Sequence, residues 1–179
     1  MNQMNRTKKL IVTAFCAALC VVLPMAFHAI PNAGSIFLPM HIPVLLCGFL
    51  CGWPYGLAAG LLGPCLSSLI TGMPPAAILP SMVCELSAYG AVTGFLYPRI
   101  KTPSRMANLY LTLLAAMACG RLFYGALNAL IFRAGAYSLE LWLAAAFTTA
   151  LPGIAIQLIF IPLALTALER SGVLAPAKA

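Results

Sequence analysis

The chain carries little charge, and nearly all of it is positive. Its 179 residues include no Asp and only three Glu, and charged residues make up 7% of the sequence, whereas typical soluble domains contain about 25%. Hydrophobic residues make up 63% of the chain, and its mean hydropathy is +1.00. This composition excludes a soluble globular protein and indicates one that is embedded in lipid.

Residues suited to catalysis are also scarce. Three Glu and two His give little material for an acid–base pair or a metal cage, and the motifs H-E-x-x-H, G-x-x-x-x-G-K and G-x-S-x-G are all missing. We therefore expect a protein that is not an enzyme, with no catalytic residue, no cofactor and no metal site.

The seven Cys lie inside apolar runs and not in loops, so they do not indicate a disulfide framework. Cys16 and Cys20 are four residues apart, as are Cys47 and Cys51, a spacing at which two metal ligands could share one helix face. We favour the interpretation that they are small apolar packing residues.

Apolar runs divide the whole chain. A helical span needs about 20 apolar residues, and charges or clusters of Gly, Pro and Asn separate six candidates, at residues 8–27, 39–53, 54–72, 77–97, 106–132 and 139–168. The second and third meet at Gly52-Trp53-Pro54, which predicts a tight antiparallel hairpin. We predict an all-α integral membrane protein, a bundle of six transmembrane helices in which residues 1–179 form a single membrane domain.

Basic residues predict the orientation of this bundle. Eight Lys and Arg fall on the N-terminal side of the six spans, and one, Arg133, falls in a loop on the opposite side. The positive-inside rule then places both termini in the cytoplasm. Because the basic residues are spread between apolar runs, they predict contact with the lipid bilayer and no nucleic-acid partner.

Two ionisable residues lie within the spans, where such residues are costly and usually functional. Arg121 in the fifth span and Glu85 in the fourth are predicted to lie at similar depth, in the outer half of the bilayer. Tyr124 and Asn128 follow Arg121 at helical spacing, and Tyr89 lies one turn after Glu85. The two polar stripes therefore predict a ligand pocket open to the outside or a pair that neutralises itself inside the bundle, and the two overlap, since a pair can line a pocket.

Other polar residues could complete the lining of such a pocket. Thr148, Thr149 and Gln157 belong to the sixth span, which is broken nearby by Pro152. His41 stands at the outer start of the second span, where an interfacial residue without any ligand role is an equally good interpretation.

Several runs resemble the substrate-binding (S) components of energy-coupling factor (ECF) transporters. These runs are residues 38–52 (LPMHIPVLLCGFLCG), 55–56 (YG), 63–64 (GP), 67–75 (SSLITGMPP) and 85–90 (ELSAYG). The likeness extends to chain length, six spans, cytoplasmic ends and the motif Ala14-x-x-x-Ala18 in the first span, where the family carries its alanine motif.

The resemblance implies a function that composition cannot supply. An S component binds a vitamin or related micronutrient from outside, between the outer parts of helices four to six, under the loop after helix one, here residues 29–38. It then associates with a transmembrane coupling subunit (the T component) and two ATPase subunits in the prokaryotic plasma membrane, and topples to release substrate inward. Ala14 and Ala18 would contact the coupling subunit, and ATP hydrolysis would occur on the ATPase subunits.

The chemistry of the polar residues suggests which small molecule is bound. The predicted substrate-binding residues are Arg121, Glu85, Asn128, Tyr89, Tyr124, Gln157 and His41. Arg121 would recognise a carboxylate or phosphate, so an anionic vitamin such as pantothenate is the first candidate. If Glu85 fully neutralises Arg121, a pyridoxine-type ligand or a pyrimidine precursor is as plausible. The first three residues contain no His, which disfavours cobalt and nickel as cargo.

The main alternative is a self-sufficient, small, proton-coupled secondary transporter in which Glu85 carries the proton. Such carriers often contain inverted repeats, and spans one to three show no convincing similarity to spans four to six. A purely structural membrane partner is the third possibility, and it would bind no small molecule.

Overall fold

The computed structural model describes residues 4–27, 29–30, 32–132 and 138–171, with Phe132 described by its backbone alone. All regular structure in these ranges is helical. The helices are α1 (Arg6–Ala26), α2 (Ala33–Phe37), α3 (His41–Cys51), α4 (Trp53–Thr71), α5 (Leu79–Leu96), α6 (Arg105–Leu127), α7 (Leu139–Leu143) and α8 (Leu151–Arg170). Single π-helical turns follow α6, at Asn128–Phe132, and α7, at Ala144–Thr148. Arg133 and Lys178, which the orientation argument used, lie outside the described residues.

Gly and Pro set most of the helix boundaries. Gly52 has a φ of +94° and joins α3 to α4 without a longer loop, as the predicted hairpin requires. Pro54 lies in the first turn of α4, where its missing N–H costs nothing. Gly72 ends the same helix with a φ of +73°, in the left-handed region that favours glycine.

Helix α5 packs against the α3–α4 hairpin through glycine. A Cβ added to Gly48 would lie 2.6 Å from the main-chain oxygen of Gly90, and one added to Gly90 would overlap the main-chain oxygen of Gly56. Gly60 faces the backbone of α5 in the same way. These glycines therefore let three helix backbones approach closely, as in other membrane bundles.

The surface of the bundle is apolar, as the surface of a protein in lipid has to be. Large apolar side chains point outward along α1, α4 and α8, for example Phe15, Leu69 and Ile159, which are 63%, 83% and 69% exposed. Five helical segments among the described residues are long and apolar enough to cross a membrane: Arg6–Ala26, Ala33–Cys51, Trp53–Thr71, Arg105–Ile131 and Leu151–Arg170. Helix α5 has 18 residues but is less apolar, since it carries Glu85 and several small polar residues.

The sixth predicted span is interrupted near Pro152, as expected, and a predicted loop contains a short helix. Residues 139–168 do not form one continuous helix: α7 and its π-helical turn end at Thr148, and α8 begins at Leu151. Pro152 has no N–H to donate to the carbonyl of Thr148, so the helix has to restart there. Residues 29–38, predicted as a loop, contain the short helix α2. It is flanked by two residues in the left-handed conformation, Asn32 with a φ of 58° and Leu38 with a φ of 51°.

Apart from Arg121, the basic residues within the described ranges lie at one end of the bundle. The ammonium group of Lys9, near the start of α1, lies 5.5 Å from the ring centre of Tyr55 at the start of α4. Arg105, at the start of α6, forms an ion pair with Glu169 at the end of α8. We call this end of the bundle, where α1, α4 and α6 begin, the basic end.

Candidate ligand site

A cavity of about 550 Å³ lies at the end of the bundle opposite the basic end. It is lined by the end of α1, by Ile30 and residues 32–36 and 38–41, by the turn at Met73-Pro74-Pro75, and by residues of α5 and α6. Most of its wall is apolar. A cavity of this size with few polar groups is typical of a site for a small molecule.

Glu85 contacts the two other ionisable side chains of this part of the wall, Arg121 and His41. Its Oε1 lies 3.1 Å from Nη1 of Arg121 and 3.6 Å from Nε2 of His41. The three residues come from α5, α6 and α3, and they are 3%, 7% and 1% exposed. Two buried opposite charges are tolerated at this position because each is the partner of the other.

The ion pair leaves polar nitrogen atoms of Arg121 and His41 without hydrogen-bond partners. Within the described part of the chain, Nε and Nη2 of Arg121 have no hydrogen-bond partner, and neither have the two ring nitrogens of His41. Buried polar atoms usually have partners, and leaving them without one costs free energy. The wall therefore offers polar atoms that an added ligand could satisfy.

Tyr89 and Gly120 fix the position of His41. The rings of His41 and Tyr89 meet edge to face, with centroids 5.0 Å apart and an interplanar angle of 81°. On its other side the Tyr89 ring lies over Gly120, where an added Cβ would come within 2.6 Å of it. The glycine thus gives the ring room to lie between α6 and the imidazole.

Trp142 of α7 holds the Arg121 segment of α6. Its Nε1 donates a hydrogen bond to the main-chain oxygen of Arg121 over 3.0 Å, and its ring lies against Gly125. This role could not be predicted from the sequence. A single Trp in an apolar run carries no sign of its partner, although a Gly one turn after an intramembrane Arg is a mark of close approach.

The predicted site residues fall into two groups. Tyr124 and Thr149 line the cavity together with Glu85, Arg121 and His41. Asn128, Gln157 and Tyr89 are buried but are not part of its wall. A role for these residues in binding substrate stays a prediction.

The two amides differ in their surroundings. Asn128 donates a hydrogen bond from Nδ2 to the main-chain oxygen of Tyr124 over 2.8 Å. Gln157 is fully buried on α8, and its amide has no partner among the residues that the structure describes.

Apolar wall residues are the part of the cavity that the sequence analysis missed. Met40, Met73 and Met82 line it, and so does Phe27, whose ring stacks on that of Phe37 at 5.2 Å. In a chain that is 63% hydrophobic, such side chains look the same whether they face a cavity or the core.

Ala14 and Ala18 lie far from this wall, on an outward face of α1. Both are exposed, as are Ile11 and Phe15 beside them, while Ala17 is buried. The predicted alanine motif is therefore free to meet lipid or another protein.

The fold and the cavity define a multi-pass helical membrane protein that encloses an ion-paired site near one end. The chain belongs to the family of ECF transporter substrate-specific components, whose family model matches residues 8–168. The resemblance noted in the sequence is confirmed, and the protein is a substrate-binding subunit of a transporter. A search of curated proteins finds no significant match.

Proposed function

We propose that this protein is the high-affinity substrate-binding subunit of an ATP-driven ECF uptake transporter for a water-soluble vitamin or related micronutrient. Pantothenate is the first candidate, followed by a pyridoxine-type ligand or a pyrimidine precursor. The observation that carries the proposal is the buried Glu85–Arg121 pair, with His41, in the wall of a cavity large enough for such a molecule.

The proposal includes six spans with both termini in the cytoplasm of a prokaryotic cell. Helix α5, at 18 residues, is about 27 Å long, close to the thickness of about 30 Å of the hydrocarbon core, and would be the sixth span. The basic end supports the orientation, since Lys and Arg are favoured on the cytoplasmic side. The cavity would then open to the outside.

The partners in the proposal are a transmembrane coupling subunit and two ATPase subunits. The outward positions of Ala14 and Ala18 support the first, because small side chains let a second helix approach closely in lipid. The missing G-x-x-x-x-G-K motif supports the second, because a nucleotide site has to come from another chain.

Two measurements test the proposal. The purified subunit is heated with each of a panel of water-soluble vitamins, and a ligand at 100 times its Kd is expected to add about 2.7 kcal/mol of stability. Uptake of that vitamin into vesicles is then expected only when the coupling and ATPase subunits are present. Uptake by the subunit alone, driven by a proton gradient, would instead favour the secondary transporter. Folded protein that no vitamin stabilises would count against substrate binding.

A further inference from the structure

The ion pair between Arg121 and Glu85 is made at Nη1 of the guanidinium. The contact at 3.1 Å joins Oε1 of Glu85 to Nη1, which is the guanidinium nitrogen cis to Cδ. The opposite edge of the guanidinium carries the parallel N–H bonds of Nε and Nη2. Both atoms are buried, and no described residue accepts a hydrogen bond from either of them.

This edge can donate hydrogen bonds to two oxygen atoms of one group. Two parallel donors on a rigid plane match a carboxylate, which accepts both bonds at once. Glu85 does not compete for the edge, since its contact lies at Nη1. The ion pair and the recognition of an anion are therefore compatible.

From this geometry we infer that the ligand of the cavity carries a carboxylate, which binds the Nε–Nη2 edge of Arg121 while Glu85 stays paired at Nη1. The inference rests on the proposed function and names the chemical class of its substrate. Both nitrogens are closed to solvent, so the wall around Arg121 has to open far enough to admit the carboxylate to this edge.

Glu85 has a separate role in this arrangement. Its charge orients Arg121, and the same charge repels the carboxylate of the ligand. His41, with its Nε2 3.6 Å from Oε1 of Glu85 and both ring nitrogens without partners, can donate a hydrogen bond to the same ligand group. The ligand's remaining atoms meet the apolar wall formed by residues such as Met40 and Met82.

Whether Glu85→Gln raises or lowers the affinity for the ligand tests these separate roles of Arg121 and Glu85. Glu85→Gln keeps an oxygen that accepts from Nη1 and removes the repelling charge, so the affinity for a carboxylate ligand is expected to rise about tenfold, equivalent to 1.4 kcal/mol. Arg121→Lys keeps the positive charge and removes the planar edge, so the same affinity is expected to fall by at least about tenfold. Arg105→Lys is the matched control, because Arg105 also pairs with a Glu but lies at the basic end, and it is expected to leave the affinity unchanged.

The probes are matched pairs of acid and amide: pantothenate with its primary amide, and nicotinate with nicotinamide. Binding is measured by calorimetry on purified wild type and on each variant that keeps its helical circular dichroism. An acid that binds at least ten times more tightly than its amide, with the affinity changes given above, supports the inference. An amide that binds as well as its acid, or Glu85→Gln weakening the acid, overturns it.

The inference and the proposed function fail in different ways. If the wild type binds a neutral or cationic vitamin from the wider panel and neither acid, the carboxylate inference is wrong and the proposed function stands. If folded wild type binds no vitamin of any charge, the proposed function is wrong, and the inference is wrong with it.

Discussion

The indole of Trp142 donates its hydrogen bond to the main-chain oxygen of Arg121, and the ring lies against Gly125 one turn further along α6. This contact ties the short helix α7 to the part of α6 that carries the buried cation. The position of the guanidinium thus depends on a residue that does not line the cavity.

Trp142→Phe is expected to weaken ligand binding severalfold. It removes a hydrogen bond with a net contribution of about 1 kcal/mol while keeping most of the ring surface on Gly125. Trp53→Phe is the matched control, since the chain contains two Trp and Trp53 is half exposed at the basic end. Calorimetry on both variants decides the question, and equal losses of affinity would show that Trp142 has no special link to the site.

Arg121→Ala is expected to abolish binding and to lower stability in a folded bundle. It leaves Glu85 as a buried carboxylate without its Arg partner, with the imidazole of His41 3.6 Å away, and breaking such a pair costs about 3–5 kcal/mol. Adding Glu85→Gln removes the stranded charge, so the double variant should recover most of the stability.

Melting temperatures and ligand affinities of the single and double variants separate these effects. The double variant should still fail to bind ligand. If its melting temperature stays as low as that of Arg121→Ala, the loss of stability comes from packing and not from the unpaired carboxylate.

Gly90→Ala is expected to disrupt the packing of α5 on the hairpin. Its new methyl group would overlap the backbone of Gly56, which cannot move aside as a side chain can, so a loss of about 3 kcal/mol is expected. Gly34→Ala serves as the control, because nothing lies within 4 Å of its added Cβ. Thermal unfolding in detergent measures both, and similar melting temperatures for the two variants would contradict the close approach of these backbones.

Much of this fold could be predicted because helices that cross a lipid bilayer appear in the sequence as long apolar runs. Charges and Gly-Pro clusters separate the helices, and the predicted spans 8–27 and 54–72 differ from α1 and α4 by one or two residues at each end. The break before α8 could be expected from Pro152. The short helix α2 could not, because it is bounded by two residues in the left-handed conformation, which leave hydropathy unchanged.

The charged part of the candidate site could also be predicted, since an Arg and a Glu in apolar spans have few ways to satisfy each other. Helical spacing alone placed Glu85 and Arg121 at one depth, and the structure pairs them. The same spacing could not show that Asn128 turns to the carbonyl of Tyr124. Asn side chains can bond to nearby main-chain groups of their own helix, and spacing does not show whether a particular one does so.

The exposed alanines of α1 lead to a prediction about assembly and not about binding. Ala14→Trp and Ala18→Trp place a bulky ring on an outward face, so each subunit is expected to fold and to bind its ligand with unchanged affinity. Uptake that depends on the ATPase subunits should fall by at least about tenfold, as expected when the loss of a close helix contact costs 1.4 kcal/mol or more. Ala118→Trp is the control, because Ala118 is an exposed alanine of α6. Co-purification with the coupling subunit and vesicle uptake are measured for all three variants, and equal transport by Ala14→Trp and Ala118→Trp would show that the partner binds another face.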